Sequence, residues 1–105
     1  VFDMSLFEAF LKRIDHLKVP LIVGLWPLVS LRNAEFLNNE VPGSHVPDEV
    51  MDRLRAAKSK EEGLAIGTKI AKEMLAMVRP HCQGVQTSVP FGKVDMVLEV
   101  LEQVL

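Results

Sequence analysis

"PLIVGLW", residues 20–26, is an apolar run that starts at one proline and is stopped by the next, Pro27. It is too short for a buried helix, which needs about 10–12 residues, and it shows no polar alternation. A strand covered on both faces reads this way, and strands covered on both faces belong to parallel sheets layered with helices. The second strand candidate is "GVQTSVP", residues 84–90, where Val85, Thr87 and Val89 alternate with Gln86 and Ser88. Helical sequence separates the two, so if they pair they pair in parallel through a crossover. A two-stranded parallel sheet can neither bury both faces of "LIVGLW" nor satisfy its own edges, so the sequence calls for a larger sheet.

Outward from the first strand, the chain reads as helices with distinct starts and stops. Residues 5–17, "SLFEAFLKRIDHL", place Leu6, Phe7, Phe10, Leu11, Ile14 and Leu17 on one stripe. Ser5 and Glu8 have capping-box spacing, and Lys18 and Pro20 close the segment. After Pro27 a short helix starts at Ser30, a residue whose hydroxyl can cap first-turn amides, and ends near Asn38–Asn39. "EVPGSHVP", residues 40–47, is a loop. Pro47 opens a helix to about Lys58, with Val50, Met51, Leu54 and Ala57 facing inward. Ser59 and Glu62 form a second capping box, starting a helix to about Arg79 with Ile66, Ile70, Met74 and Val78 as its core stripe. Gly63 and Gly67 weaken that helix by up to about 1 kcal/mol each relative to Ala unless close packing requires them. The last helix follows Gly92, with Val94, Val97, Leu98, Leu101 and Leu105 on its apolar face.

Composition narrows the class. At 105 residues the chain is a single domain, and its 49% hydrophobic and 25% charged content is that of a soluble globular protein. A net charge of −2 with both signs interspersed leaves no footprint for nucleic acid or an anionic membrane. No apolar run approaches the roughly 18 residues of a membrane span, and no secretory leader is visible. A single cysteine, Cys82, excludes an internal disulfide and points to the cytoplasm. The chain begins without Met and stops inside an apolar helical pattern, so it reads as a piece of a longer protein.

Candidate chemistry is sparse. His16, His45 and His81 are far apart and lack the spaced Cys, Asp or Glu partners of a metal site, so no metal is expected. Only Arg79 lies near enough in sequence to activate Cys82. Glu61 and Glu62 belong to a helix start. Met51, Met74, Met77 and Met96 are spaced as core filling. Trp26 stands at the C-terminal end of the first strand, the edge where α/β proteins place ligands, and serves either as a plug of the sheet top or as a stacking surface. Arg32 and Asn33 reach toward the same mouth, and Ser88, Phe91 and Lys93 repeat the arrangement after the second strand.

Three separated blocks, "PLIVGLWPLVSLRNAEFLNNEVPGSHVPDEVMDRL", "EGLAIGTKIAKEML" and "GVQTSVPFGKVDMVLEVL", together resemble the methylenetetrahydrofolate reductase family. The likeness is closest to the reductase half of bacterial proteins that pair it with a homocysteine S-methyltransferase. It rests on Val23–Pro27 and Val46–Pro47, on Gly67, Ile70, Ala71, Glu73 and Met74, and on the opening "VFD", which matches the end of the family's sixth strand. The resemblance spans residues 1–105 and implies a C-terminal fragment, about helix 6 to helix 8, of a (β/α)8 TIM barrel, with two parallel strands and four to five helices. It further implies FAD at the barrel mouth, reduced from NAD(P)H and reducing 5,10-methylenetetrahydrofolate to 5-methyltetrahydrofolate, with most flavin contacts and the general acid supplied by earlier strands.

By the same resemblance, the family's amide-bearing position falls on Asn33 and its aromatic position one turn later on Leu37. Its strand-8 apolar and Arg positions fall on Phe91 and Lys93. Leu37 cannot stack as an aromatic does, and Lys93 lacks the planar fork of Arg, so Trp26 or Phe91 is the expected aromatic wall for folate and nicotinamide. The fragment alone is expected to be inactive and to self-associate through open strand edges or apolar helix faces. Two other readings stand beside this one. One is a non-catalytic helical interaction module. The other, part of a homocysteine S-methyltransferase, fits poorly, because that chemistry uses a zinc held by cysteines and only Cys82 is present.

Overall fold

A computed structural model describes residues 1–104. The first helix, α1 (Met4–Ile14), leads into strand β1 (Ile22–Leu25). Helices α2 (Leu31–Glu40), α3 (Asp48–Arg55) and α4 (Lys60–Val78) form the crossover to β2 (Gly84–Thr87), and α5 (Val94–Leu101) closes the chain. The described residues form a small α/β domain of five α-helices and two parallel strands, paired in the register Ile22↔Gly84 through Leu25↔Thr87.

The sheet has a helical layer on one face only. Val23 and Leu25 are buried against Phe7 of α1, Ala71, Met74, Leu75 and Val78 of α4, and Val100 of α5. Ile22 and Gly24 point to the other face, where Ile22 is 60% exposed. This corrects the expectation of a strand covered on both faces: within this chain β1 is covered on one. On the bare face the register pairs large with small side chains. Ile22 overlies Gly84, whose added Cβ would stand 3.0 Å from the Ile22 Cδ1 atom, and Gln86 overlies Gly24.

A second apolar core lies beyond the C-terminal end of β1. Leu28, Ala34, Leu37, Val46, Val50, Met51, Leu54 and Ile70 join the post-strand turn to α2, α3 and α4. Gly63 and Gly67 of α4 bring that turn close. A Cβ on Gly67 would stand 2.7 Å from the Leu28 carbonyl carbon and nearer still to its oxygen, and one on Gly63 would stand 3.2 Å from the Val29 oxygen. Close packing is therefore the reason for two glycines inside a 19-residue helix.

The helix starts are local chemistry, with one correction. Ser30 Oγ accepts from the Asn33 N–H at 3.0 Å, and Ser59 Oγ accepts from the Glu62 N–H at 3.1 Å. The return limb of that second box reaches one residue further back, Glu62 Oε2 accepting from the Lys58 N–H. At α1, however, the cap is Asp3 rather than Ser5: Asp3 Oδ1 accepts from the Ser5 N–H at 2.8 Å and the Leu6 N–H at 3.3 Å. A carboxylate two residues earlier satisfies the same orphan amides with a charge the helix dipole favours.

Two predicted stripes are also corrected. In α1 only Phe7 is buried, while Leu6 and Phe10 face outward, and Leu17 lies exposed beyond the end of the helix. In α5 the buried residues are Met96, Val97 and Val100, and Val94 and Leu98 are exposed; Leu105 lies outside the described residues. Periodicity identifies an apolar stripe correctly but cannot supply the partner that covers it. Among the described residues, no helix is long and apolar enough to cross a membrane.

Candidate functional site at the C-terminal ends of the strands

Parallel pairing brings the ends of β1 and β2 together. The Ser88 N–H donates to the Leu25 carbonyl at 3.2 Å, so the residues after each strand leave the sheet side by side. Trp26 follows β1 and is 36% exposed, whereas Pro27 and Leu28 are fully buried and anchor the turn beneath it. Phe91 follows β2 and is 73% exposed. It sits in the left-handed region, φ 53° and ψ 31°, between buried Pro90 and Gly92 with φ 71°. A bulky residue with positive φ is uncommon, and here the turn holds an aromatic ring out in solvent at a cost of order 1–3 kcal/mol.

The other expected residues are distributed less simply. Asn33 stands in the first turn of α2, and its Oδ1 accepts from the Val29 N–H at 3.3 Å, which leaves its NH2 group without a partner among the described residues. Leu37 is 7% exposed and belongs to the second core, so in this chain it fills space between helices and presents no surface. Lys93 precedes α5 and lines a groove of about 440 Å³ with Thr68, Asp95 and Glu99, on the helical side of the β2 loop. The structure therefore gathers Trp26 and the Phe91 loop at one end of the sheet and turns Leu37 inward.

Three further features involve residues outside the expected site set. Gln86 projects from the bare sheet face; its alternation with Val85 and Thr87 assigned it to the opposite face from them, but nothing in the sequence said that face is open. Phe36, next to Leu37, is the exposed aromatic of α2. Asp3 lies 3.5 Å from His45, tying the start of α1 to the loop after α2.

Charge is used mainly to hold elements together. Arg53 of α3 grips Glu73 of α4 with two hydrogen bonds of 2.8 Å. These hydrogen bonds hold the Glu73 carboxyl below its ordinary 4.5 and the Arg53 guanidinium above its usual value. Burial lowers the Val1 α-amino group, which donates to the Gly24 carbonyl at 2.9 Å. Glu73 thus serves as a clamp between helices. Among the described residues, no group of three or more His, Cys, Asp or Glu side chains is placed to hold a metal ion.

No protein-family model matches the chain, and comparison with curated proteins returns no match.

Proposed function

We propose that this chain is the C-terminal sector of a (β/α)8 barrel reductase that uses FAD and NAD(P)H to reduce 5,10-methylenetetrahydrofolate to 5-methyltetrahydrofolate in the cytoplasm. The observation that carries the reading is the one-sided sheet: parallel strands with every covering helix on one face and adjacent C-terminal ends. A barrel is built from such sectors, with the bare face turned inward and the ligand at the C-terminal mouth. The first residues add to this. The Val1 amino group meets Gly24 on the outer edge of β1, Val1 packs against the first core, and Phe2 packs against the second. Val1 thus stands at the outer edge of β1, where a preceding strand of a larger sheet would lie.

The residues present fit one part of a flavin–folate site. Trp26 and Phe91 offer exposed aromatic faces for a planar ring, and the free NH2 end of Asn33 offers a donor. Bound flavin would supply hydride transfer. The part of this chain is to orient ring systems and exclude water from one side of them, a role that needs no acid or base of its own. The mouth of β1, Trp26–Asn33, accordingly holds no carboxylate and no histidine.

The test is on the intact protein that the gene encodes. Purified, it should carry the visible absorbance of flavin and oxidise NAD(P)H in a folate-dependent way. Trp26→Ala should raise the folate KM roughly tenfold, the size of one lost stacking contact, while flavin content stays unchanged. Absence of flavin and of folate-dependent turnover in the intact protein sinks the reading; an unchanged folate KM removes Trp26 from the wall. The exposed apolar side chains of α1 favour a second reading, a non-catalytic helical module that assembles through those faces. It predicts no flavin in any longer form of the protein.

A further inference from the structure

The alternation of β1 runs past the end of the strand. Ile22, Gly24 and Trp26 are exposed, whereas Val23, Leu25 and Pro27 are buried. The ladder runs on as well, since the Ser88 N–H donates to the Leu25 carbonyl at 3.2 Å. Carrying the register Gly24↔Gln86 two positions further sets Trp26 beside Ser88. The bare face thus rises toward the mouth in tiers: Ile22 with Gly84, then Gly24 with Gln86, then Trp26 with Ser88.

Gln86 holds the tier below Trp26. The chain has three glutamines, at 83, 86 and 103. Gln83 Oε1 accepts from the Leu21 N–H at 2.6 Å, and Gln103 Nε2 donates to the Lys72 carbonyl at 3.0 Å, so both fasten backbone. The Gln86 amide, exposed on the sheet, has no hydrogen-bond partner among the described residues. Across the strand pair stands a glycine. Gln86 Oε1 lies 3.4 Å from the place a Gly24 Cβ would take, so the amide lies over Gly24, in space that a side chain there would narrow.

An amide presents an acceptor and a donor in one plane. Its complement is an N–H beside a C=O, the lactam edge of a flat heterocycle. Enclosed on the inner face of a barrel, such an amide needs a partner, and Trp26 in the next tier offers a ring face to the same ligand. Resting on the reductase reading for the ligand, we propose that Gln86 determines specificity at the mouth: its amide holds the lactam edge of the ring that stacks on Trp26. The pyrimidine ring of the flavin and the pterin of the folate both carry that edge.

The test compares wild type, Gln86→Met and Gln86→Glu in the intact protein that the gene encodes. Met keeps the length of the side chain and loses both polar functions; Glu keeps the acceptor, loses the donor and sets a charge against the lactam carbonyl. The constants to measure are the FAD Kd, by titration of the apoprotein, and the KM for 5,10-methylenetetrahydrofolate beside kcat. Gln86→Met should raise one of the two constants roughly tenfold, with a smaller fall in kcat, and Gln86→Glu should raise it at least as much. A raised FAD Kd assigns the edge to the flavin; a raised folate KM with the FAD Kd unchanged assigns it to the pterin. Both constants within about twofold of wild type overturn the proposal, as does a loss confined to kcat. Circular dichroism checks the fold of each variant, and if Gln86→Met does not fold, Gln86→Glu gives the same comparison. Failure of the reductase reading shows separately, on wild type: without flavin and folate turnover there, the role of Gln86 falls with it.

Discussion

Replacing Gly67 by Ala sets two opposite forces against each other. By intrinsic preference the change favours the helix by about 1 kcal/mol, since Gly is the poorest helix former after Pro. By packing it is forbidden. The new methyl carbon would lie 2.7 Å from the Leu28 carbonyl carbon, with the Leu28 oxygen closer still, whereas ordinary van der Waals contact begins at 3.4 Å. The obstructing atoms are backbone, so no side-chain rotation relieves the clash. Nor is Leu28 free to retreat, because its side chain and the preceding Pro27 are fully buried. Overpacking typically costs 1–3 kcal/mol, and a backbone obstacle places this site at or above the upper end. After subtraction of the propensity gain, the net loss is about 2 kcal/mol or more. For a domain of this size that lowers Tm by roughly 8–16 °C. Gly63→Ala is the internal control: its methyl meets the Val29 oxygen at 3.2 Å, so a shift of a few tenths of an ångström suffices and the net change stays within about 1 kcal/mol. Thermal unfolding followed by circular dichroism on both variants decides the matter. A Gly67→Ala protein as stable as wild type would refute the contact between α4 and the turn that carries Trp26.

Ser30→Ala removes the side-chain cap of α2 and should cost about 1 kcal/mol by urea denaturation, while leaving the Asn33–Val29 hydrogen bond to hold the first turn. Glu73→Gln tests the α3–α4 clamp. The Glu73 carboxyl titrates below its ordinary 4.5 in the folded chain, so its contribution is full above that value and disappears as pH falls through the folded pKa. Because the pair is well exposed, the deficit of Glu73→Gln at neutral pH should be no more than about 1 kcal/mol. It should vanish in acid, and a deficit that persists there would show that packing rather than charge is lost.

The chemistry of neighbouring residues made much of the chain readable without coordinates. Prolines 20 and 27 bracketed the first strand, serines 30 and 59 announced two helices, and a crossover that long fixed the parallel direction of β1 and β2. The prolines and serines act through hydrogen bonds or steric limits within a few positions, which travel with the sequence, and the parallel direction follows from the helical crossover between the strands. The same is true of the mouth: Trp26 and Phe91 were placed at strand ends by position alone.

Burial was decided elsewhere. "LIVGLW" has the composition of a strand covered on both sides, yet only Val23 and Leu25 are buried, because cover is supplied by Phe7 of α1 and by residues of α4 and α5 far along the chain. Leu37 carries an assigned binding position by resemblance and a core position in space, since the rotation of α2 follows from Leu28, Val46 and Leu54 packing around it. Phe10 and Leu6 look like core in a helical projection and stand in solvent for the opposite reason. Gly67 shows the division most plainly. From the sequence it is a weakness in a helix; in the fold it is the one residue small enough to let α4 lie against the Leu28 carbonyl. Local sequence specifies which conformations a segment can adopt and which of its faces is apolar. Which apolar face is covered, and which is left open, depends on how distant segments meet, and that only the tertiary structure decides.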